Sequence, residues 1–214
     1  VNMNCTNMKK ECEMLWAKNK YYVLSKSHKA YLEIREYLKA KEVDILFLKE
    51  RIQTVRDLEE SKKDFNAMMN NNKDMSKTQI VKDEKTIKKY GGTKMFFAPP
   101  IYYNELMKKV PKGKLITVSQ MRDYLAKENN ADFTDPMTAG IFVNIVAWAS
   151  YQRNADITPY WRTLKSDGEL NVKYPEAIEL QKRLLEEEGH TIISKGTKNI
   201  KYYVKDFENS LVKL

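Results

Sequence analysis

The pattern of apolar and polar positions divides this chain into two textures. Residues 7–65 contain no Pro or Gly, and their apolar side chains return at helical spacing. Leu15, Trp16, Tyr22 and Val23 fit one face, and Tyr31, Ile34 and Leu38 continue it. Ile45, Leu48, Ile52 and Val55 repeat at the 3,4,3 interval of a narrow packing seam. The pattern predicts two or three long helices that turn near Ala40 to Glu42, a helical hairpin or bundle. It is lost in NAMMNNNKDMSKT, residues 66–78, whose run of Asn reads as a solvated linker. The expected organisation is a helical domain over 1–68, a linker and irregular lead-in over 69–98, and a second domain over 99–214.

Beyond residue 79 the apolar runs are shorter and more punctuated. IKKYGGTKMFFAPP contains Gly91-Gly92 and Pro99-Pro100, which reads as an irregular or extended connection. Helical spacing resumes in YYNELMKKV, and PKGK makes a turn. VSQMRDYLAKEN and PMTAGIFVNIVAWASYQR then read as two more helices, with Ser119 capping the first and Pro136 in the first turn of the second. Three helices joined by short turns, the last strongly apolar, form a helix-turn-helix pattern. YPEAIELQKRLLEEEG predicts another helix, TIISKGTKNIKYYV alternates like a small hairpin, and a short helix runs to Leu214.

Composition narrows the partners. The 214 residues are 42% hydrophobic, enough for a core in one or two domains, and the formal charge is +9. A basic balance points to nucleic acid or an anionic surface, and a solvated charged surface accounts for it about equally well. The excess is spread along the chain, +3 in residues 1–74 and +6 in 75–214. Tyr21, Tyr22, Tyr31 and Tyr37 interleave with Lys18, Lys20, Lys26 and Lys29, a mixture that stacks bases or, at helical spacing, packs a core with hydroxyls at its rim. Cys5 and Cys12 are the only cysteines and read as free thiols on one helix. His28 and His190 are far apart in sequence, so no metal site and no cofactor is expected. No apolar run approaches the roughly 20 residues that cross a bilayer, so no membrane partner is expected and the expected location is cytoplasmic.

The segment ITPYWRTLKSDGEL, residues 157–170, followed by LLEEEGH at 184–190, carries the most specific signal. Pro159, Tyr160, Trp161 and Arg162 precede a Ser166-Asp167-Gly168 turn, and Leu184, Leu185, Glu188 and Gly189 end the next helix. Upstream, Pro111, Gly113 and Thr117 open a helix, and Tyr174 follows the loop. In this order the motifs resemble the C-terminal domain of the alkylguanine-DNA alkyltransferase family, over about residues 101–193. The match is nearest to a cysteine-less, alkyltransferase-like bacterial subgroup with Pro-Tyr-Trp-Arg where the family has Pro-Cys-His-Arg. Residues 16–38 faintly resemble an uncharacterised helical family of bacteria that carries no mechanism over. The resemblance implies a mainly α fold with a small β component, in which an N-terminal helical hairpin or bundle precedes a C-terminal winged helix-turn-helix-like alkyltransferase domain.

It also implies lost chemistry, because Tyr160 stands at the nucleophile position and Trp161 at that of the proton-relaying histidine. A phenol with pKa near 10 is a poor nucleophile for carbon, and a relay has no purpose without a thiol, so no catalytic residue is expected. The family inserts an Arg at the start of its recognition helix, and Pro136 occupies the aligned position, which puts base flipping in doubt. The implied partner is double-stranded DNA, with alkylated guanine as the lesion. Thr117, Ser119, Gln120, Pro136, Met137, Thr138, Ala139, Gly140, Lys112 and Lys114 would meet the duplex, the helix start at Pro136 offering its amides to a phosphate. Lys108, Lys109, Lys195, Lys198 and Lys201 are further candidates for phosphate contact or are ordinary surface lysines. Tyr160, Trp161, Arg162 and Tyr174 would form a base pocket, where Tyr160 and Trp161 either stack on a base or pack the cleft shut. Arg162 and Glu188 have a structural role by the same resemblance. The alternative function is a protein-interaction module on a degenerate alkyltransferase fold, with a protein partner or self-association through residues 7–65.

Overall fold

The computed structural model describes residues 57, 59–73, 75–197 and 199–214. The helices expected over 7–56, with their Tyr and Lys face, both cysteines and His28, lie outside the described residues. Asp57–Leu214 form one compact unit, mainly α with a small β component. Among the described residues no helix is long and apolar enough to cross a membrane.

The unit is built around one helix. We number the elements in chain order: α1 Phe65–Asn70, β1 Lys77–Ile80, α2 Glu84–Tyr90, β2 Lys94–Phe97, α3 Pro100–Lys108, β3 Ile116–Thr117, α4 Val118–Glu128, β4 Phe133–Thr134, α5 Pro136–Tyr151, β5 Thr163–Leu164, α6 Ala177–Glu187, β6 Ile192–Lys195 and β7 Lys201–Val204. Helix α5 contains no charged residue, and the run from Phe142 to Ser150 is buried apart from Asn144. A helix apolar on nearly every side needs cover all round. It receives that cover from α1, α3 and α4, which all pack on it. Three small sheets complete the unit: β1-β2-β4, with β1 antiparallel and β4 parallel to β2; the short parallel pair β3-β5; and the β6-β7 hairpin.

Residues 69–98 are not a linker. Helix α1, which opens the Asn-rich stretch, buries Phe65 and Met69 against α5, and polar side chains around its start tie it down. Asp64 caps α1 by accepting the Ala67 amide at 2.8 Å. Gln152 accepts the Phe65 amide at 3.2 Å and donates to the Lys63 carbonyl at 2.7 Å, and Asn66 donates to the Ala149 carbonyl at 3.3 Å. The lead-in around Gly91-Gly92 holds the end of α2, with Gly91 in the left-handed cap position at φ 79°, and then strand β2. Residues 57–68, assigned from sequence to the helical domain, likewise belong to this compact unit.

Other elements fall close to expectation, with informative shifts. Helix α4 is capped by Thr117 rather than Ser119: the Thr117 hydroxyl accepts the Gln120 amide, and the Gln120 side chain accepts the Thr117 amide in return. The connection between α4 and α5 spans residues 129–135 and contains β4, so it is longer than the three or four residues of a simple helix-turn-helix. The C-terminal helix is a single 3-10 turn, Phe207–Ser210.

Gly92 lies where the first sheet meets this connection. A Cβ there would clash with the Asp132 side chain, whose carboxylate accepts the Thr93 and Lys94 amides at 2.8 Å each. Gly92→Ala is expected to lose about 1–3 kcal/mol of stability, because Asp132 is tied and has little room to yield. A fall in thermal midpoint, with the urea m-value unchanged, is the measurement that checks it.

Candidate nucleic-acid interface

The loop that leaves α5 is anchored before it reaches Tyr160. Thr158 is fully buried and makes four hydrogen bonds that involve a side chain, besides accepting the Tyr160 amide on its carbonyl. Its amide donates to the Ser150 hydroxyl at 2.9 Å and its carbonyl accepts from the same hydroxyl at 2.9 Å. Its own hydroxyl donates to Asn104 at 2.7 Å and accepts from Arg153 at 2.9 Å. Buried polar groups this fully paired fix a single backbone path. Neither Asn104, Ser150 nor Thr158 was singled out from sequence, since a polar residue in a short apolar run gives no local sign of its partner.

Past Tyr160 the chain is held by a second network, centred on Glu188. Trp161 Nε1 donates to the Glu188 carboxylate at 2.8 Å, Arg162 donates through Nε at 2.9 Å and Nη2 at 2.8 Å, and the Gly113 amide donates at 3.1 Å. Arg162 also donates to the Val110 carbonyl at 2.6 Å. Glu188 can reach all of these because it ends α6: the Gly189 amide returns to Glu186 and the His190 amide to Leu185, with Gly189 at φ 91°. That pair of bonds is the Schellman closure, and glycine supplies its left-handed residue at no steric cost. Burial pushes the Glu188 carboxyl up, but the hydrogen bonds from Arg162, Trp161 and Gly113 and the Arg162 charge outweigh it and hold the carboxyl below its usual range. Trp161 therefore enters the row of hydrogen bonds as a donor to Glu188.

Gln181 joins this loop to the next. Fully buried on α6, it accepts the Asn171 amide at 2.8 Å and donates to the Trp161 and Thr163 carbonyls at 3.0 and 3.1 Å. A signal for it exists in the sequence, since Gln181 shares a 3,4 apolar stripe with Ile178 and Leu185.

Of the four residues expected to form a base pocket, two are core. Tyr160 is 3% exposed and Tyr174 is 1% exposed, and their rings meet edge to face at 5.3 Å. Trp161 lies edge-on to Tyr160 at 5.6 Å, and Arg162 is committed to Glu188 and Val110. In this conformation the aromatic side chains pack the cleft shut. The Tyr160 hydroxyl has no hydrogen-bond partner. Burial pushes both phenols well above their ordinary pKa, so Tyr160 stays protonated and supplies no nucleophile.

The expected duplex-binding residues divide in the same way. Thr117 and Ala139 are buried, Gln120 is spent on its cap and on a bond to the Val212 carbonyl at 3.1 Å, and Ser119, Pro136 and Thr138 are half-buried. Met137 is 79% exposed, Lys112 and Lys114 are exposed, and the space where Gly140 would carry a Cβ is open. The start of α5 is not a free anion site. The Asp135 carboxylate accepts the Met137 and Thr138 amides at 3.1 and 3.3 Å, the Ala139 amide bonds to the Asp135 carbonyl, and Pro136 has no amide proton. A phosphate would have to displace a like-charged cap. Among the other lysines, Lys108 pairs with Asp156 at 2.7 Å, Lys201 with Glu169 at 2.8 Å, and Lys195 lies 4.7 Å from the centre of the Tyr203 ring. Lys198 lies outside the described residues. Among the described residues no group of three or more His, Cys, Asp or Glu is placed to hold a metal ion.

The fold and site define a mainly α module whose helix pair α4-α5 is followed by a small hairpin, with a tied loop carrying tyrosine beside it. No family model matches the chain, and no curated protein matches it. Among solved structures it is similar to S. pombe Atl1, crystallised in complex with damaged DNA containing O6-carboxymethylguanine. The identity is 21%, over 54% of this chain and 94% of that one, with a TM-score of 0.39.

Removing the Glu188 carboxylate strands a buried guanidinium, so Glu188→Ala is expected to cost about 2–4 kcal/mol. The depressed carboxyl also sets a pH dependence. Its contribution is complete above the unfolded value of about 4.3 and is lost as pH falls below that through the folded value. Denaturation midpoints across this window should slope more steeply for the wild type than for Glu188→Gln. Tyr160→Phe removes an unpaired buried hydroxyl, so its thermal midpoint is expected to equal or exceed that of the wild type.

Proposed function

We propose that this protein is a non-enzymatic, alkyltransferase-like DNA-binding module that recognises duplex DNA, with alkylated guanine as its lesion, in the service of DNA repair and in the cytoplasm. The observation that carries the reading is the loop Thr158–Arg162. It is held at both ends as a functional loop is held, yet presents a buried, protonated phenol where alkyl transfer needs a thiolate. The ordered motifs from Pro111 to Gly189 support the same reading, as does the basic balance of the chain. Exposed Lys112 and Lys114, just ahead of α4, are the cations best placed in sequence to neutralise phosphates, and such contacts weaken steeply with salt.

A second reading, a protein-interaction module, is favoured by one observation. Helix α5 has no charged residue, its first amides are occupied by Asp135, and it exposes Met137 and Ile141 at 79% and 53%. A helix face of that kind suits an apolar protein surface as well as a groove. A protein partner or self-association through residues 7–65 belongs to this reading.

Fluorescence anisotropy of a labelled duplex, with and without one O-alkylated guanine and at two salt concentrations, separates the two. Tighter binding of the modified duplex, falling with salt, is expected from the DNA reading, and the intact protein mass should be unshifted afterwards. No binding at low salt would leave the protein-interaction reading.

A further inference from the structure

A group of cations gathers beside the connection between α4 and α5, away from the tyrosine loop. Tyr90, the last residue of α2, stacks on Phe133 of β4 with ring centres 5.1 Å apart. Two cations approach the same Tyr90 ring, Lys89 Nζ at 5.1 Å and the Arg122 guanidinium at 5.8 Å from its centre. Arg122 belongs to α4, and its carbonyl accepts the Thr134 hydroxyl at 3.4 Å. Phe133 and Thr134 come directly before Asp135 and Pro136, so the group lies at the approach to α5.

Like charges meet here without a counter-ion. Among the described residues no carboxylate pairs with Arg122 or Lys89, and the Arg122 Nε is buried without an acceptor. The neighbouring carboxylates are spent on backbone. Asp83 accepts the Thr86 amide at 2.8 Å, Asp132 takes the Thr93 and Lys94 amides, and Asp135 takes those of Met137 and Thr138. Asp123, next to Arg122 in sequence, is exposed and pairs with no described cation. Residues 77–94 deepen the imbalance, with six lysines against Asp83 and Glu84, a net +4 out of the +6 carried by 75–214. The basic excess of this part of the chain is therefore concentrated on α2 and its flanks.

A half-buried guanidinium is costly to desolvate, and a partner anion offsets that cost. Its planar fork of donors matches the oxygens of a phosphate, and a lysine beside it adds a point charge. The ring against the guanidinium restrains it in advance, so less freedom is lost when the fork engages.

We propose that Arg122 and Lys89, set against Tyr90, form a phosphate clamp for the DNA backbone that flanks the α4-α5 contact, with exposed Lys88 and Lys94 extending it. The clamp holds backbone and reads no base, so it adds affinity and a dependence on duplex length without adding lesion preference. The uncompensated cations stand on the geometry alone; a nucleic acid as the source of the phosphates rests on the DNA-binding reading.

Anisotropy of two labelled duplexes tests the clamp, each with one O-alkylated guanine, one short and one longer by a helical turn on each side. The wild type should bind the longer duplex about tenfold more tightly, because only its flanks reach the clamp. Arg122→Gln and Lys89→Gln should each remove most of that gain, and should each lower the salt slope on the longer duplex by about 1. The loss should fall on the longer duplex more than on the short one, a split that general destabilisation does not produce. Lys89 is exposed, so its substitution carries the test even where Arg122→Gln impairs folding. Lys62→Gln, an equal loss of charge ahead of α1, should keep the full gain. Equal wild-type affinity for the two duplexes, or a gain that survives both substitutions or is lost as fully in Lys62→Gln, overturns the clamp, while binding of the short duplex upholds the DNA reading. Absence of binding to either duplex overturns the DNA reading and the clamp with it.

Discussion

A carboxylate at the end of α6 receives N–H groups from two separate segments, and the order of the loop around Tyr160 follows from that convergence. Glu188 takes the indole of Trp161, two nitrogens of Arg162 and the amide of Gly113, with its side chain 7% exposed and that of Arg162 13% exposed. A desolvated carboxylate is costly unless its acceptor sites are filled, and here they are filled by groups that would themselves be unpaired without it. The local requirement of one side chain thereby fixes the relative position of the loop before β3, the tyrosine loop and the end of α6. Arg162 extends the tie to the Val110 carbonyl, at the end of α3.

Trp161 joins this polar network to the apolar one. The unit has a larger core around α5 and a smaller one formed by Leu115, Leu164, Leu170, Ile178, Leu185 and Val204. Trp161 packs against both, while its nitrogen bonds to Glu188. An indole suits such a position because it offers a large apolar body with a single donor at its edge. A histidine there would provide a donor too, but less ring to span the two cores.

What could be read from the sequence follows the same physics. Helix α5, the α4 and α6 helices and the β6-β7 hairpin were legible because periodicity reports burial on one element at a time. The polar residues around Phe65 look solvated in isolation, whereas Asn66 is bonded to the Ala149 carbonyl and Gln152, from beyond α5, accepts the Phe65 amide. At the site, the motif order singled out the loop and gave Arg162 and Glu188 a structural role without pairing them. It did not reveal that Asp135 occupies the start of α5, nor that Tyr160 and Tyr174 close on each other. Those facts depend on which side chain reaches an amide or a ring first, and spacing along the chain does not encode that competition.

The anchoring of the Thr158–Arg162 loop has a consequence for how such a protein can change over time. Thr158 is held by Asn104, Ser150 and Arg153, and Arg162 by Glu188, so the main-chain path is set on either side of residue 160 by groups other than residue 160. A lineage carrying this arrangement can exchange the residue at the centre of the loop while the loop keeps its course. The identity of residue 160 and the course of the loop can therefore vary independently.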